Sequence, residues 1–199
     1  MKLFFKKLYQ FFPFILIFKL LRKIYIPPFY KYLTVEGSFS TKLENGENIT
    51  LSINHSLYIE KEIFWNGIPC EFEPFTLELW CDLAKKSNVI FDIGANTGVF
   101  SILAKAYSKN SEIHAFEPIQ YNAAILNKNI SLNNYTKIFT NKIALSNSLG
   151  EATMFIKENE VNYMNSVNLN RYGYDKVKEI KVPLETLNNY IKKKKYRRT

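Results

Sequence analysis

Cysteine and histidine are scarce in this chain of 199 residues. The two cysteines, Cys70 and Cys81, stand eleven apart with no CxxC pair. That excludes a disulfide scaffold and a cysteine zinc cluster. The two histidines, His55 and His114, lack ligand spacing, so no metal site is expected. Free cysteine is among the most buried residue types, and both are read as reduced core residues. No apolar run is long enough to span a bilayer, which takes about 20 residues. Acidic residues are missing from both ends. Residues 1–31 hold seven Lys/Arg and residues 189–199 hold six, with no Asp or Glu in either. Residues 32–188 carry fourteen bases against eighteen acids, so the net charge of +9 belongs to the termini. A folded basic face for specific nucleic-acid recognition is therefore not expected. The ends could still hold any polyanion without sequence preference. What remains is 47% apolar, enough for one domain and too apolar for wholesale disorder.

The first 31 residues begin like a signal peptide, with basic residues before an apolar run from Leu8 to Phe18. No small-residue cleavage site follows, and Pro13 divides the run. The expectation is a cytoplasmic protein. Beyond Pro13, Ile17, Leu20, Leu21 and Ile24 share one helical face, with Lys19, Arg22 and Lys23 opposite. Such a helix suits an anionic membrane surface, and equally a dock on its own domain or a second subunit.

Residues 32–73 read as a β-rich extension. Thr34–Phe39, Asn48–Ile53 and Leu57–Ile63 carry strand patterns, with a hairpin turn at Asn45-Gly46. Residues 74–191 read as the main unit. Pro74–Lys86 is helical, with Phe75, Leu79 and Leu83 recurring every four residues. Asn88–Ile93 reads as a buried parallel strand, Gly98–Tyr107 as a helix with Phe100, Leu103 and Ala104 on one side, and Ile113–Phe116 as a strand. Pro118–Leu132 reads as a helix and Lys137–Thr140 as a third strand. Strand, helix, strand, helix, strand is a βαβαβ unit with a parallel sheet. Strand patterns return within 151–182, Leu184–Ile191 reads as a helix, and residues 192–199 form a basic tail.

Chemistry concentrates where the first two strands end. Asp92-Ile93-Gly94-Ala95-Asn96-Thr97-Gly98 closes one strand and opens a helix. Gly94 permits a sharp turn and close approach of a ligand to the backbone. Gly98 permits tight packing at the helix start, where free N–H groups favour an anion. Glu117 ends the next strand, where a carboxylate can accept both hydroxyls of a ribose. Asn122 lies close enough to Glu117 to reach the same ligand. The run is not a P-loop, since no Lys follows Gly98 until Lys105, and it lacks the GxGxxG dinucleotide spacing. S-adenosylmethionine fits the charges better. It offers a ribose to Glu117, a carboxylate to the helix N-terminus, and cationic groups to Asp92. The bland alternatives are that Asp92 caps a turn, that both glycines serve turns alone, and that Asn96 caps the helix.

The segments VIFDIGANTGVFSILA, HAFEP and KIALSNSLGEATMF, with FWNGIPCEFEP upstream and VPLETLNNYI downstream, together resemble the FkbM-type methyltransferases. The likeness covers roughly residues 60–191. It implies an α/β, Rossmann-like class I fold, S-adenosylmethionine as cofactor, and methyl transfer to a hydroxyl of a surface-glycan sugar or a secondary metabolite. Asp92, Gly94, Asn96, Gly98 and Glu117 match the family's cofactor motif, and Ala144 to Ser146 match a segment expected near the adenine. Family members continue beyond the LETLNNYI-like helix into a strand with a KIDVEG-like motif, and this sequence instead ends in KKKKYRRT. Asn, Ile, Lys, Phe and Tyr make up 94 of the 199 residues, which points to an AT-rich gene and slippage at the lysine run. The expectation is a chain incomplete at its C-terminal side, with weak cofactor binding and a tendency to aggregate. Its first strand, VIFDI, should become a sheet edge or borrow a partner from 151–182. The rival readings are a nicotinamide-dependent oxidoreductase, and a non-catalytic remnant or membrane-docked interaction module.

Overall fold

The computed structural model describes residues 35–54, 57–68, 73–157 and 177–194. The N-terminal segment 1–31, His55, Cys70, the Asn-rich stretch 158–176 and residues 195–199 lie outside them. Among the described residues, no helix is long and apolar enough to cross a membrane.

Gly37–Lys42 (β1) and Asn48–Ile53 (β2) form an antiparallel hairpin. The Asn45-Gly46 turn forms as expected. The Leu43 N–H donates to Glu47 O at 2.8 Å, and Gly46 takes a φ of +85°. β1 begins at Gly37 and extends to Lys42, later than the strand expected over 34–39, because the turn fixes the register from its far end. The strand expected over Leu57–Ile63 is instead a helix, Tyr58–Asn66 (α1). Its apolar residues satisfy both periods over so short a run. Packing against the hairpin decides for the helix. Ile59, Ile63 and Phe64 are buried, and Phe64 meets Phe39 edge to face at 5.2 Å.

Pro74–Lys85 (α2) starts at Pro74 as its sequence predicts, but the other face is the buried one. Phe75, Leu79 and Leu83 are exposed (84%, 59% and 54%), whereas Leu77, Cys81 and Ala84 are buried. Two apolar rows compete on this helix. The row with small Cys81 and Ala84 lets α2 approach the next helix closely, which hydropathy does not rank. Cys81 is a free, buried thiol, as expected.

Val89–Ile93 (β3), Val99–Tyr107 (α3), Glu112–Phe116 (β4), Gln120–Leu132 (α4) and Ile138–Asn141 (β5) follow. The three strands form a parallel sheet in the order β3-β4-β5. This is the expected Rossmann-like βαβαβ unit. On α3, Leu103 and Ala104 are buried, while Phe100 is half-buried and meets Trp80 of α2 edge to face at 5.5 Å. β3 pairs only with β4 among the described strands. Among the described strands it is an edge, and Val89 and Ile93 are 37% and 57% exposed.

Ala144–Ser146 (β6), Gly150–Lys157 (β7) and Val177–Thr186 (β8) form a second sheet, ordered β6-β8-β7. β7 and β8 pair with each other, so neither extends the first sheet. The last helix, Leu187–Lys193 (α5), begins three residues later than expected, because Leu184–Thr186 complete β8. Thr186 Oγ1 then caps α5, accepting from Asn189 N at 3.2 Å. α5 lies on the first sheet through buried Tyr190, which meets Phe116 at 4.8 Å.

One apolar cluster joins the hairpin and α1 (Phe39, Leu51, Ile63) to α2 and α3 (Leu77, Ile102, Leu103). Two asparagine side chains on or just after α4 extend this union. Asn133 accepts from Thr50 N and donates to Thr50 O, both at 2.7 Å, as a neighbouring strand would. Asn129 Oδ1 accepts from Ser52 N at 2.8 Å.

Candidate functional site

The register that places Ile93 opposite Phe116 brings the chain out of β3 and β4 side by side at the sheet's carboxyl edge. Gly94 and Ala95 each donate a backbone N–H to Phe116 O at 3.0 Å. The chain then bends through left-handed positions at Gly94 (φ +78°), Asn96 (+50°) and Gly98 (+86°) before α3 begins. Such a path favours glycine, and asparagine is the next most tolerant residue.

The two expected glycines divide the work. A Cβ at Gly94 would meet nothing within 4 Å, so the bend is open there. A Cβ at Gly98 would lie 2.1 Å from Leu126 Cδ1 on α4, so Gly98 serves close packing at the helix start. Gly98 is also the N-cap of α3 and offers no side chain. Asn96 contributes a left-handed corner and a backbone donor.

Glu117 ties the two loops together. Its Oε2 accepts from Asn96 N at 2.9 Å, and its Oε1 accepts from Ile119 N at 2.9 Å. Buried Asn122 on α4 approaches Oε1 more distantly, with Nδ2 at 3.5 Å. Burial raises the Glu117 pKa, these donors oppose the rise, and the charge of Asp92 adds to it. The two acidic strand ends therefore sense each other. Asp92 is 7% exposed, and its Oδ2 accepts from Ser101 Oγ on α3 at 2.6 Å. Burial pushes its carboxyl up to about 6, against the pull of Ser101.

Asp92, Gly94, Asn96, Gly98, Glu117 and Asn122 thus gather around one bend. Ala144 stands apart from that set, at the start of β6 and opposite Leu184. It follows the end of β5, where Asn141 O accepts from Glu117 N at 3.0 Å. Sequence reasoning missed Ser101, which holds Asp92, and Thr97, whose carbonyl accepts from Asn129 Nδ2 at 2.9 Å. It also missed Glu60 on α1, a carboxyl 2% exposed whose pKa burial pushes up to about 7. The i, i+9 step from Asp92 to Ser101 was readable once the strand–helix turn was placed. Glu60 carried no signal while its segment read as a strand.

The arrangement offers an open glycine corner, a carboxylate held at the tip of β4, and the N-terminus of α3. That combination suits a ligand with hydroxyls at one end and charged groups at the other. Among the described residues, no cluster of His, Cys, Asp or Glu could hold a metal ion.

The model of the methyltransferase FkbM domain matches residues 92–198. No curated protein matches. Among solved structures, TYW2 of P. horikoshii, in complex with MeSAdo, is 18% identical over 51% of this chain and 34% of its own, with a TM-score of 0.38. A SAM-dependent methyltransferase from Agrobacterium tumefaciens is 11% identical over 56% of this chain and 34% of its own, with a TM-score of 0.38. The tRNA m1G37 methyltransferase of M. jannaschii is 24% identical over 53% and 34%, with a TM-score of 0.33. The match thus spans about a third of each of those proteins.

Proposed function

The chain belongs to the FkbM methyltransferase family, and we propose that it binds S-adenosylmethionine at the β3–β4 bend and transfers its methyl group to an acceptor hydroxyl. The open corner at Gly94 beside the anchored Glu117 carries this reading. When bound, the cofactor would supply an electrophilic methyl on a sulfonium; in-line transfer would form the O–CH3 bond as the S–CH3 bond breaks to leave the thioether, with the hydroxyl proton passing to a base or to solvent.

The chain's own part is binding and orientation. Glu117 is pre-set by Asn96 and Ile119, and its remaining lone pairs can accept from ribose hydroxyls. Gly94 leaves the backbone open to the ligand. The first turn of α3 offers N–H groups to a carboxylate. Asp92 supplies the negative charge for the ammonium or sulfonium. Ala144, after β5, belongs to the adenine side. The acceptor is a small molecule or a glycan sugar, and residues 1–31 bring the enzyme to an anionic membrane surface.

Calorimetric titration with S-adenosylmethionine and, separately, NADH and NADPH tests the assignment. The expected result is binding of S-adenosylmethionine alone, lost in Glu117→Ala. Binding of a nicotinamide nucleotide in its place would make the protein an oxidoreductase, and binding of none would make it a non-catalytic module. Flotation with anionic liposomes at low salt tests the membrane role, and protein that stays behind would remove it.

A further inference from the structure

The last helix reaches the carboxyl edge of the first sheet through one side chain. Tyr190 of α5 is 5% exposed, and its ring meets that of Phe116, the residue before Glu117, edge to face at 4.8 Å. Its hydroxyl donates to Asn141 Oδ1 at 2.9 Å. Asn141 closes β5, and its backbone carbonyl accepts from Glu117 N at 3.0 Å. Tyr190 therefore supports the tip of β4 by two routes, its ring through Phe116 and its hydroxyl through Asn141.

The direction of these bonds follows from counting hydrogens. Asn141 Nδ2 donates to Phe139 O at 2.9 Å and to Ala115 O at 3.3 Å. Those two carbonyls fix the amide, so Oδ1 is the atom that meets Tyr190. A phenol has one hydrogen, and Oδ1 takes it. The Tyr190 oxygen, 2.7 Å from His114 Nδ1, then accepts from that nitrogen. A directed chain runs from buried His114 through Tyr190 to Asn141, and Glu117 is bonded to the far side of Asn141 by its own amide. Phenylalanine at 190 would fill the same apolar space with no partner to find. A buried hydroxyl is kept only where it is bonded, and both partners here belong to the first sheet.

Glu117 is held at two points. Asn96 N and Ile119 N orient its carboxylate, and Asn141 O holds its backbone. The first pair belongs to the loops of the site, and the second leads back to α5. Ala144, on the proposed adenine side, follows Asn141 by three residues.

We propose that Tyr190 is a positioning residue which, through Asn141 and Phe116, seats Glu117 for the ribose hydroxyls of S-adenosylmethionine, so that docking of α5 completes the ribose end of the site. This rests on the cofactor reading above.

The test uses two ligands, S-adenosylmethionine and its 2′-deoxy analogue, which lacks one of the hydroxyls offered to Glu117. Each is titrated calorimetrically into the wild-type chain, Tyr190→Phe, Asn141→Ala, the double variant Tyr190→Phe/Asn141→Ala, and Thr186→Ala. The wild type should prefer the intact ribose by about tenfold. Tyr190→Phe should weaken S-adenosylmethionine by about fivefold and the analogue by less than about twofold, so that the preference shrinks. Asn141→Ala should shrink it as well, and the double variant no further, because both remove one shared bond. Thr186→Ala removes the cap of α5 and keeps the hydroxyl, and should retain the wild-type preference. Unchanged S-adenosylmethionine affinity in Tyr190→Phe, equal losses for both ligands, additive losses in the double variant, or a preference lost in Thr186→Ala would each overturn the proposal. Should Asn141→Ala fail to fold, Tyr190→Phe, which deletes a single oxygen, decides with Thr186→Ala alone. A wild-type chain that binds neither ligand, or both equally, defeats the assignment of Glu117 to the ribose and this inference with it.

Discussion

At the residue scale, the two glycines of the bend look alike in sequence and differ in what surrounds them. Gly98→Ala drives a methyl into Leu126 and forces alanine into a left-handed φ. Overpacking and backbone strain together should cost about 2–4 kcal/mol, read as a lower urea midpoint. Gly94→Ala meets no atom and should cost only about 1 kcal/mol of strain. Its methyl occupies the open corner, so S-adenosylmethionine affinity should fall by about tenfold or more. Asp92 adds a trade between stability and binding. Its pKa is raised from 3.8 to about 6, so the folded state holds a proton more tightly than the unfolded chain does. Stability therefore falls as pH climbs from about 4 to about 6 and stays reduced above that. Asp92→Asn should be as stable as wild type at pH 4 and more stable at pH 8, by up to about 3 kcal/mol. It should also lose cofactor binding. Equal stability at both pH values would show that Asp92 is not desolvated. The sequence made the cluster from Asp92 to Glu117 legible, because a glycine turn between strand and helix has few other uses. Thr97 stayed hidden, because the asparagine that holds its carbonyl, Asn129, lies far along the chain.

Elements were legible where local signals and burial agree. The Asn45-Gly46 turn, the Pro74 start of α2 and the βαβαβ order were all readable. α1 was not, since a nine-residue run rich in apolar groups fits either period. Nor was the orientation of α2, which depends on the neighbour it packs against. That orientation is testable. Leu77→Ala removes a side chain 1% exposed and should cost about 2–5 kcal/mol. Phe75→Asp, at a site 84% exposed, should change stability by about 0.5 kcal/mol or less. The reverse order in urea denaturation would restore the face expected from the sequence. One hydroxyl of α5 bonds it to the first sheet and the residue that ends it. Tyr190 Oη lies 2.7 Å from His114 Nδ1 and donates to Asn141 Oδ1 at 2.9 Å. Tyr190→Phe leaves both neighbours short of a partner, at a cost of about 1–3 kcal/mol. Amide exchange should then quicken in α5 and remain slow in the β1–β2 hairpin.

At the scale of the whole molecule, β3 combines two roles that seldom go together. It carries the proposed site at its tip and, among the described strands, forms a sheet edge along its length. A parallel strand with one side unpaired among the described strands, and with Val89 and Ile93 partly exposed, invites pairing with another chain. Purified protein should therefore show a scattering mass that grows with concentration. Val89→Lys, at the end of the strand away from the bend, should suppress that growth while leaving S-adenosylmethionine affinity intact. If the substituted protein associates as strongly as before, the contact lies elsewhere.

The asparagine latch on β2 and the apolar cluster beneath it mean that the cofactor half is not a portable module. A gene cut at Pro74 would encode every residue of the proposed cofactor site, yet it would strip Leu77, Ile102 and Leu103 of their cover and take from Asn129 and Asn133 the β2 backbone they hold. Anyone transplanting this site into another scaffold would have to carry the β1–β2 hairpin and α1 along, or design a substitute for them.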